Sequence, residues 1–364
     1  MSSRGYDEAG VRGQGDALSA VERHLGPTLG LPAGAEVLTR FGQYASVMKL
    51  SNELAIAFST DGVGSKTIIA SLLDRYDTIG FDCVAMNVND VICVGAKPIA
   101  MVDYLGVNTL DSRRTDEILR GLGSAAKEAG IAIPGGELAQ LPEVIGSDGR
   151  SDGDPTAFDL VGTCIGTLHP DKVIVGDTIE PGDALIGISS SGIHSNGVTL
   201  ARKVLLKDAG LLLFDEISPG RTLGDELLAP TEIYVRAVLD LWSDGIETKG
   251  LVHVTSDGFA NLCRLDAEVG YRIEELPEAP LIFRMIRERG SVPEAEMFRV
   301  FNMGIGFVVV VSESVAGDTI ERIERSGYKA AQIGTVTDRT GVVEILPAGL
   351  EGSLNSGESS FRAV

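Results

Sequence analysis

The chain has 364 residues, 44% of them hydrophobic, more than one core usually organises, which predicts two domains. A formal net charge of -21, from 52 acidic against 31 basic residues, argues against nucleic acid or an anionic membrane as the main partner. It leaves room for a phosphate ligand held by a metal ion and backbone N–H groups. The four cysteines, Cys83, Cys93, Cys164 and Cys263, form no Cys-x-x-Cys pair and read as buried, reduced thiols of a cytosolic protein. The polar N-terminus and the short apolar runs predict no signal peptide and no bilayer span, so the protein is expected to be soluble and intracellular.

In chain order, residues 54–59 are expected as a buried strand running into Ser59-Thr-Asp-Gly-Val-Gly-Ser-Lys66. Apolar residues at spacings of three and four predict a helix over 78–95, and a second helix over 112–129 stops at Gly130. Strands are expected at 99–107 and 160–168, with a flexible acidic loop at 146–156 between the last helix and strand. The Gly/Pro segment 176–183 marks the domain boundary, ahead of a strand at 184–189. Helices at 198–207 and 224–241, a strand at 305–311 and a helix at 313–326 follow. The Ser/Gly-rich end, 350–364, is expected without order. The alternation predicts a mixed α/β fold with domains at 1–172 and 173–346 and a flexible tail at 347–364.

Asp61 with Gly62 and Gly64 places a carboxylate at a strand end, beside glycines that let the backbone approach a polyphosphate. The same Asp-Gly is also ordinary turn chemistry, and the segment is no P-loop, because no Gly stands four residues before a Gly-Lys pair. Asp90 follows Asn89 inside the apolar stripe of the first helix, where a buried charge needs a partner or a metal. Glu137 closes Pro134-Gly-Gly-Glu137, read as a glycine turn delivering an acid, and Asp257 lies in His253-Val-Thr-Ser-Asp-Gly258. Magnesium shares oxygen ligands between a few carboxylates and substrate phosphates, so Asp61, Asp90, Glu137 and Asp257 are the candidate metal set. Singly, each has an ordinary alternative: a surface position for Asp90, a helix-cap neighbour for Glu137, an N-cap for Asp257. Ser190-Ser-Gly-Ile-His-Ser-Asn-Gly197 is a strand-to-helix loop whose N–H groups, with Ser195 and Asn196, form an anion cradle. His194 there either donates to a phosphate or developing oxyanion, or bonds the loop backbone.

Taken with Ala85-Met-Asn-Val-Asn-Asp90, Gly135-Gly-Glu137, Leu228-Ala-Pro-Thr-Glu-Ile-Tyr-Val235 and Phe301-Asn-Met-Gly-Ile-Gly306, these motifs resemble the phosphoribosylformylglycinamidine cyclo-ligase (aminoimidazole ribonucleotide synthetase) family. The resemblance runs from the motif Tyr6-Asp-Glu-Ala-Gly-Val11 to about residue 343. It implies two α/β domains, with the N-terminal domains of a cytoplasmic homodimer joining their sheets into a barrel. It also implies ATP-dependent ring closure of formylglycinamidine ribonucleotide in purine biosynthesis, with magnesium. On this resemblance Asp61, Asp90 and Glu137 sit on the ATP and metal side, with Gly62, Gly64, Lys66, Asn89, Gly135 and Gly136 around the nucleotide. Asp61, Lys66 and His194 are the catalytic candidates, and Ser190, Ser191, Gly192, His194, Ser195, Asn196 and Gly197 anchor the ribonucleotide.

The chain departs from the family pattern at three places. Residues 38–46 carry only Gly42 where a glycine-rich segment is usual; Gly135-Gly-Glu-Leu-Ala-Gln-Leu-Pro142 lacks a hydroxyl and an acid; and His253-Val-Thr-Ser-Asp-Gly258 replaces His-Ile-Thr-Gly-Gly-Gly. The Ser-Asp-Gly resembles thiamine-monophosphate kinase, in which that Asp serves the metal, and it makes Asp257 a metal candidate here. A kinase or activating enzyme of that kind is the second reading. A non-catalytic nucleotide-binding paralogue is the third, disfavoured by the retention of all four acids.

Overall fold

A computed structural model describes residues 15–31, 33–146, 153–355 and 358–364. The motif at 6–11 and residues 147–152 of the expected acidic loop lie outside the described residues. In the first half, strands β1 (Glu36–Val37), β2 (Ser46–Lys49), β3 (Ala55–Gly62), β4 (Lys97–Val107), β5 (Ala132–Gln140) and β6 (Phe158–Leu168) form one sheet. Their order is β1-β2-β3-β6-β4-β5; β4 and β5 are parallel and the other neighbours antiparallel. Helices α1 (Gly15–Leu25), α2 (Lys66–Leu73), α3 (Ile79–Cys93) and α4 (Ser112–Ala129) complete it. Alternate residues of β3 and β6 are buried, so one face of the sheet is packed and the other more open.

Local chemistry accounts for the boundaries. The Asp111 side chain accepts from Arg114 N–H at the start of α4, and Gly130 ends it in the left-handed conformation (φ 71°), as the sequence predicts. β3 runs further than expected, because β6 continues the ladder to Gly62↔Val161; Asp61 and Gly62 are therefore strand residues. Pro134-Gly-Gly-Glu137, expected as a turn, lies in β5. Pro134 is tolerated there because β5 is an edge strand and its register with β4 shifts at that point.

In the second half, β7 (Ala184–Ser189), β10 (Gly250–His253), β11 (Gly270–Ile273), β12 (Ile305–Val311), β13 (Ala330–Thr337), β14 (Val343–Ile345), β15 (Leu350–Asn355) and β16 (Glu358–Ala363) form a second sheet, ordered β10-β12-β7-β13-β11-β14-β15-β16. A small hairpin, β8 (Glu216–Ser218) and β9 (Arg221–Thr222), stands apart. Helices α5 (Val198–Arg202), α6 (Leu223–Leu227), α7 (Val235–Ser243), α8 (Leu281–Gly290), α9 (Glu294–Val300) and α10 (Ala316–Arg325) surround it. The single helix expected at 224–241 is two, α6 and α7, separated by a non-helical segment holding Pro230, whose ring and missing N–H stop a helix. The end of the chain, expected to be flexible, is the β15–β16 hairpin laid on β14. Buried Leu350 and the packed Phe361 ring supply the apolar contacts that its Ser/Gly composition hides. No described helix is long and apolar enough to cross a membrane.

The two halves are joined by buried polar bonds. The Lys66 ammonium donates to Asp82 Oδ1 at 2.8 Å and to the Ala229 carbonyl at 2.5 Å, and Thr231 donates to the same Oδ1 from N–H (2.8 Å) and hydroxyl (2.6 Å). Both charged side chains are 0% exposed. Asn89 repeats the pattern, donating to the Glu232 carbonyl and accepting from Tyr234 N–H. Removing one partner of a buried ion pair strands the other charge, so Lys66→Met should cost about 3–5 kcal/mol. Urea unfolding against wild type measures it; a loss near that of an exposed pair would show that the ammonium bears no such load.

Candidate active site

Asp61 on β3 and Asp90 on α3 form an acid pair. The Asp61 carboxyl is pushed up to about 6, first by burial and then by the Asp90 charge, while a bond from Gly62 N–H (2.7 Å) and the nearby His253 pull the other way. Asn87, on the same helix as Asp90, fixes the Asp61 backbone by accepting from its N–H at 3.0 Å and donating to its carbonyl at 3.1 Å. Asp90 Oδ1 lies 2.9 Å from His253 Nδ1, and Oδ2 accepts from the Ser59 hydroxyl at 3.5 Å.

Strand register decides which other acids join them. Asp61, Gly162, Asp103 and Gly136 form one row across β3, β6, β4 and β5. A Cβ on Gly136 would stand 2.4 Å from Asp103 Oδ1, so Asp103 occupies the same face, where burial raises its carboxyl. Gly62, Val161, Tyr104 and Glu137 form the next row, which faces the opposite side. Exposed on the edge strand with Gly135 and Gly136, Glu137 is turned away from Asp61 and Asp90.

Asp257 is also absent from the pair. It accepts from the Ser359 hydroxyl at 2.7 Å and from Arg264 Nη2 at 3.5 Å, tying the last strand to the segment after β10. The expected four-acid metal set is therefore not assembled, and among the described residues no three His, Cys, Asp or Glu side chains are grouped to hold a metal ion. Lys66, expected near phosphates, has no exposed surface and is spent on Asp82 and Ala229. Asn89, expected beside the nucleotide, is turned to the Glu232 and Tyr234 backbone instead.

The 190–197 loop leaves β7 and enters α5, which has only five residues before the helix widens at Lys203. Asn302 bridges it, accepting from the Ser190 hydroxyl (3.0 Å) and donating to the Gly192 carbonyl (2.9 Å). Ser191 donates to the Pro230 carbonyl, and the Ser195 hydroxyl lies 3.3 Å from that of Thr231. Gly197 adopts φ 72°, and a Cβ there would stand 2.2 Å from the Phe301 ring. His194 is fully buried; Nε2 accepts from Ser191 N–H at 3.3 Å, and burial holds the ring well below its usual pKa. The ring braces the loop backbone, the second of the two roles the sequence leaves open. Asn196 Nδ2 is buried and has no hydrogen-bond partner among the described residues.

The two motif loops meet: the Ser65 hydroxyl lies 2.8 Å from that of Thr199 at the start of α5. The glycine-poor segment before β2 is docked on the second half, with Arg40 and Gln43 donating to the Arg264 carbonyl and buried Tyr44 under the Arg264 guanidinium. Sequence reasoning left Asp82, Asp103 and His253 without roles. Asp103 was legible as an acid between Met101 and Leu105 on a buried strand face, whereas the other two depend on contacts between distant segments.

The AIR synthase related protein description matches this chain in two parts, the N-terminal domain over residues 42–168 and the C-terminal domain over 180–346. The chain belongs to the AIR synthase related family. Within that family, a Methanobrevibacter smithii protein named phosphoribosylformylglycinamidine cyclo-ligase is 49% identical over 305 residues, covering 83% of this chain and 86% of its own. A Methanothermobacter thermautotrophicus protein of the same name is 44% identical over 344 residues, covering 93% and 96%. The solved structure "AaThiL complexed with AMPPCP and TMP" shares the fold at a TM-score of 0.58 and 15% identity, over 90% of this chain and 92% of that one.

The raised Asp61 carboxyl carries a pH signature. With a pKa of 3.8 unfolded and about 6 folded, the folded chain binds the proton more tightly, so stability falls as pH rises through that window. Asp61→Asn keeps the acceptor for Gly62 and removes the charge. It should unfold about 2 kcal/mol later than wild type near pH 7 and show no gain below about pH 4, by urea titration at both pH values. Equal gains at the two would show that charge is not the cause.

Proposed function

We propose that this protein is a phosphoribosylformylglycinamidine cyclo-ligase, closing formylglycinamidine ribonucleotide to aminoimidazole ribonucleotide while ATP becomes ADP and phosphate. Relatives of that name align over most of both chains. The geometric observation that supports it most is the contact between the segment that follows β3 and the helix that follows the 190–197 loop, through Ser65 and Thr199. That arrangement suits a reaction that brings two phosphate-bearing substrates side by side. The formyl oxygen is a poor leaving group; phosphorylated from ATP, it departs as phosphate when the neighbouring nitrogen attacks the carbon. Catalysis of this kind rests on positioning and charge neutralisation.

Asp61, Gly62 and Gly64 would face the ATP phosphates, and Asn196, with its uncommitted amide, would reach for the ribonucleotide between Ser195 and Gly197. Magnesium fits Asp61 and Asp90: both are hard oxygen donors, and the Asp90 charge, which adds to burial in raising the Asp61 carboxyl, is what a cation relieves. Asp61 and Asp90 would hold it, with phosphate oxygens and water completing its shell, and it would neutralise the transferring phosphoryl group. Asp257, which had favoured a thiamine-monophosphate-kinase-like reading, is paired with Arg264 and Ser359 and gives that reading no support.

A homodimer joined through the first sheet suits the open face of that sheet. Val102 is 45% and Ile165 38% exposed, and they share that face with half-buried Phe58 and Tyr104. Glu137 faces the same side, which would bring it to the partner rather than to Asp61. Val102→Asp should halve the mass seen by sedimentation, and an unchanged mass would place the dimer contact elsewhere.

With magnesium, ATP and formylglycinamidine ribonucleotide, the purified protein should release ADP and aminoimidazole ribonucleotide one for one. ADP release without the aminoimidazole product would point to another acceptor, and neither product to a binding protein.

A further inference from the structure

His253 is the last residue of β10, a strand buried along its whole length. Its imidazole has no exposed surface, and its one hydrogen-bonding side-chain contact is Nδ1 to Asp90 Oδ1 at 2.9 Å. An ionised carboxylate only accepts, so the proton lies on Nδ1. Nε2 is left buried without a hydrogen-bond partner among the described residues. Between Val252 and Val254, and beside the Phe307 ring, an apolar side chain would fill this place without that loss. The imidazole is thus justified by what it does for Asp90.

We propose that His253 is a positioning residue that aims the Asp90 carboxylate at the nucleotide-bound cation and links that aim to the ribonucleotide loop. This rests on the cyclo-ligase reading for the identity of the second ligand only. Asp90 comes from α3 in the first half, and its firmest bond is to a strand of the second half; the Ser59 hydroxyl, at 3.5 Å, is the weaker tether. From His253 the connection continues through one strand pair. Val254 N–H donates to the Gly306 carbonyl at 3.0 Å, and a Cβ on Gly306 would stand 2.5 Å from His194 Cε1 and 2.1 Å from the Tyr234 hydroxyl. A shift of the His194 loop therefore presses on β12, and β12 carries β10 with His253. Residues that orient a metal ligand from behind typically govern 10- to 100-fold in metal affinity.

Two substitutions of similar size and polarity test it. In His253→Asn the amide nitrogen takes the place of Nδ1 and can donate to Asp90; in His253→Gln it takes the place of Nε2 and cannot. Binding of a non-hydrolysable ATP analogue is measured by calorimetry with and without magnesium, alongside kcat and KM with formylglycinamidine ribonucleotide. Magnesium-dependent nucleotide affinity should stay within about threefold in His253→Asn and fall at least tenfold in His253→Gln, with metal-free binding equal in both. Equal behaviour of the two variants in the magnesium titration overturns the proposal, as does wild-type affinity in His253→Gln. If wild type forms no aminoimidazole ribonucleotide and the contrast persists, the substrate assignment fails while the positioning role stands. If wild type forms the product and the contrast is missing, the reverse holds.

Discussion

Helix α3 carries the constraint on which the rest depends: four polar side chains, Asp82, Asn87, Asn89 and Asp90, in a helix enclosed on nearly every side. Buried polar groups without partners cost more than a small domain can spare, so each must draw a neighbour to it. The neighbours come from four directions. Asp82 takes Lys66 and Thr231, Asn87 takes the Asp61 backbone, Asn89 takes Glu232 and Tyr234, and Asp90 takes His253 and Ser59. Satisfying the helix places the β3 acid, the joint between α6 and α7, and strand β10 around one point. The site is where those requirements converge.

Much of the motif chemistry in the second half is spent on holding other motifs. The 190–197 loop rests on 228–235 through Ser191 and Ser195, and on 301–306 through Ser190, Gly192 and the Phe301 ring against Gly197. A change in any one segment would deform the other two. In the loop itself, the buried side-chain atoms without a hydrogen-bond partner among the described residues are His194 Nδ1 and Asn196 Nδ2. Preorganisation of this kind confines the ligand-facing groups to a few atoms whose positions the surrounding bonds fix.

The elements with strong periodicity were legible in the sequence. The 112–129 helix has a side-chain cap at one end and glycine at the other, and strands 184–189 and 305–311 are uniform apolar runs. Asp61 and Asp90 were legible too, since glycine beside one and an apolar stripe around the other mark unusual acids. That Glu137 faces away from Asp61 was not legible, because the facing of a strand residue depends on register with its neighbours, which two adjacent glycines do not reveal. The Lys66 contacts were not legible because one partner lies 16 residues away on another helix and the other acceptor 163 away. The terminal hairpin escaped because its stability comes from Leu350 and Phe361 contacts with the core, and pairing with β14, none of it local.

The Ser-Asp-Gly at 256–258 shows why a residue change should be read through the backbone before it is read as chemistry. Asp257 has φ 80° and Gly258 φ 54°, two consecutive left-handed residues, which explains why glycines are usual here. Asp is among the few residues that tolerate that region, because its short side chain bonds nearby. Here it finds Ser359 from the terminal hairpin and Arg264 one helical segment on. Gly258 has no such freedom, since a Cβ would stand 1.8 Å from the Phe298 carbonyl, and it is retained. Arg264 in turn covers Tyr44, and its carbonyl receives Arg40 and Gln43, so the glycine-poor segment before β2 is tied to the same point. Two of the departures from the family pattern are thus one structural adjustment: an acid admitted at a turn, its arginine, and a loop that docks on them. None of these hydrogen bonds reaches the Asp61 or Asp90 carboxylate.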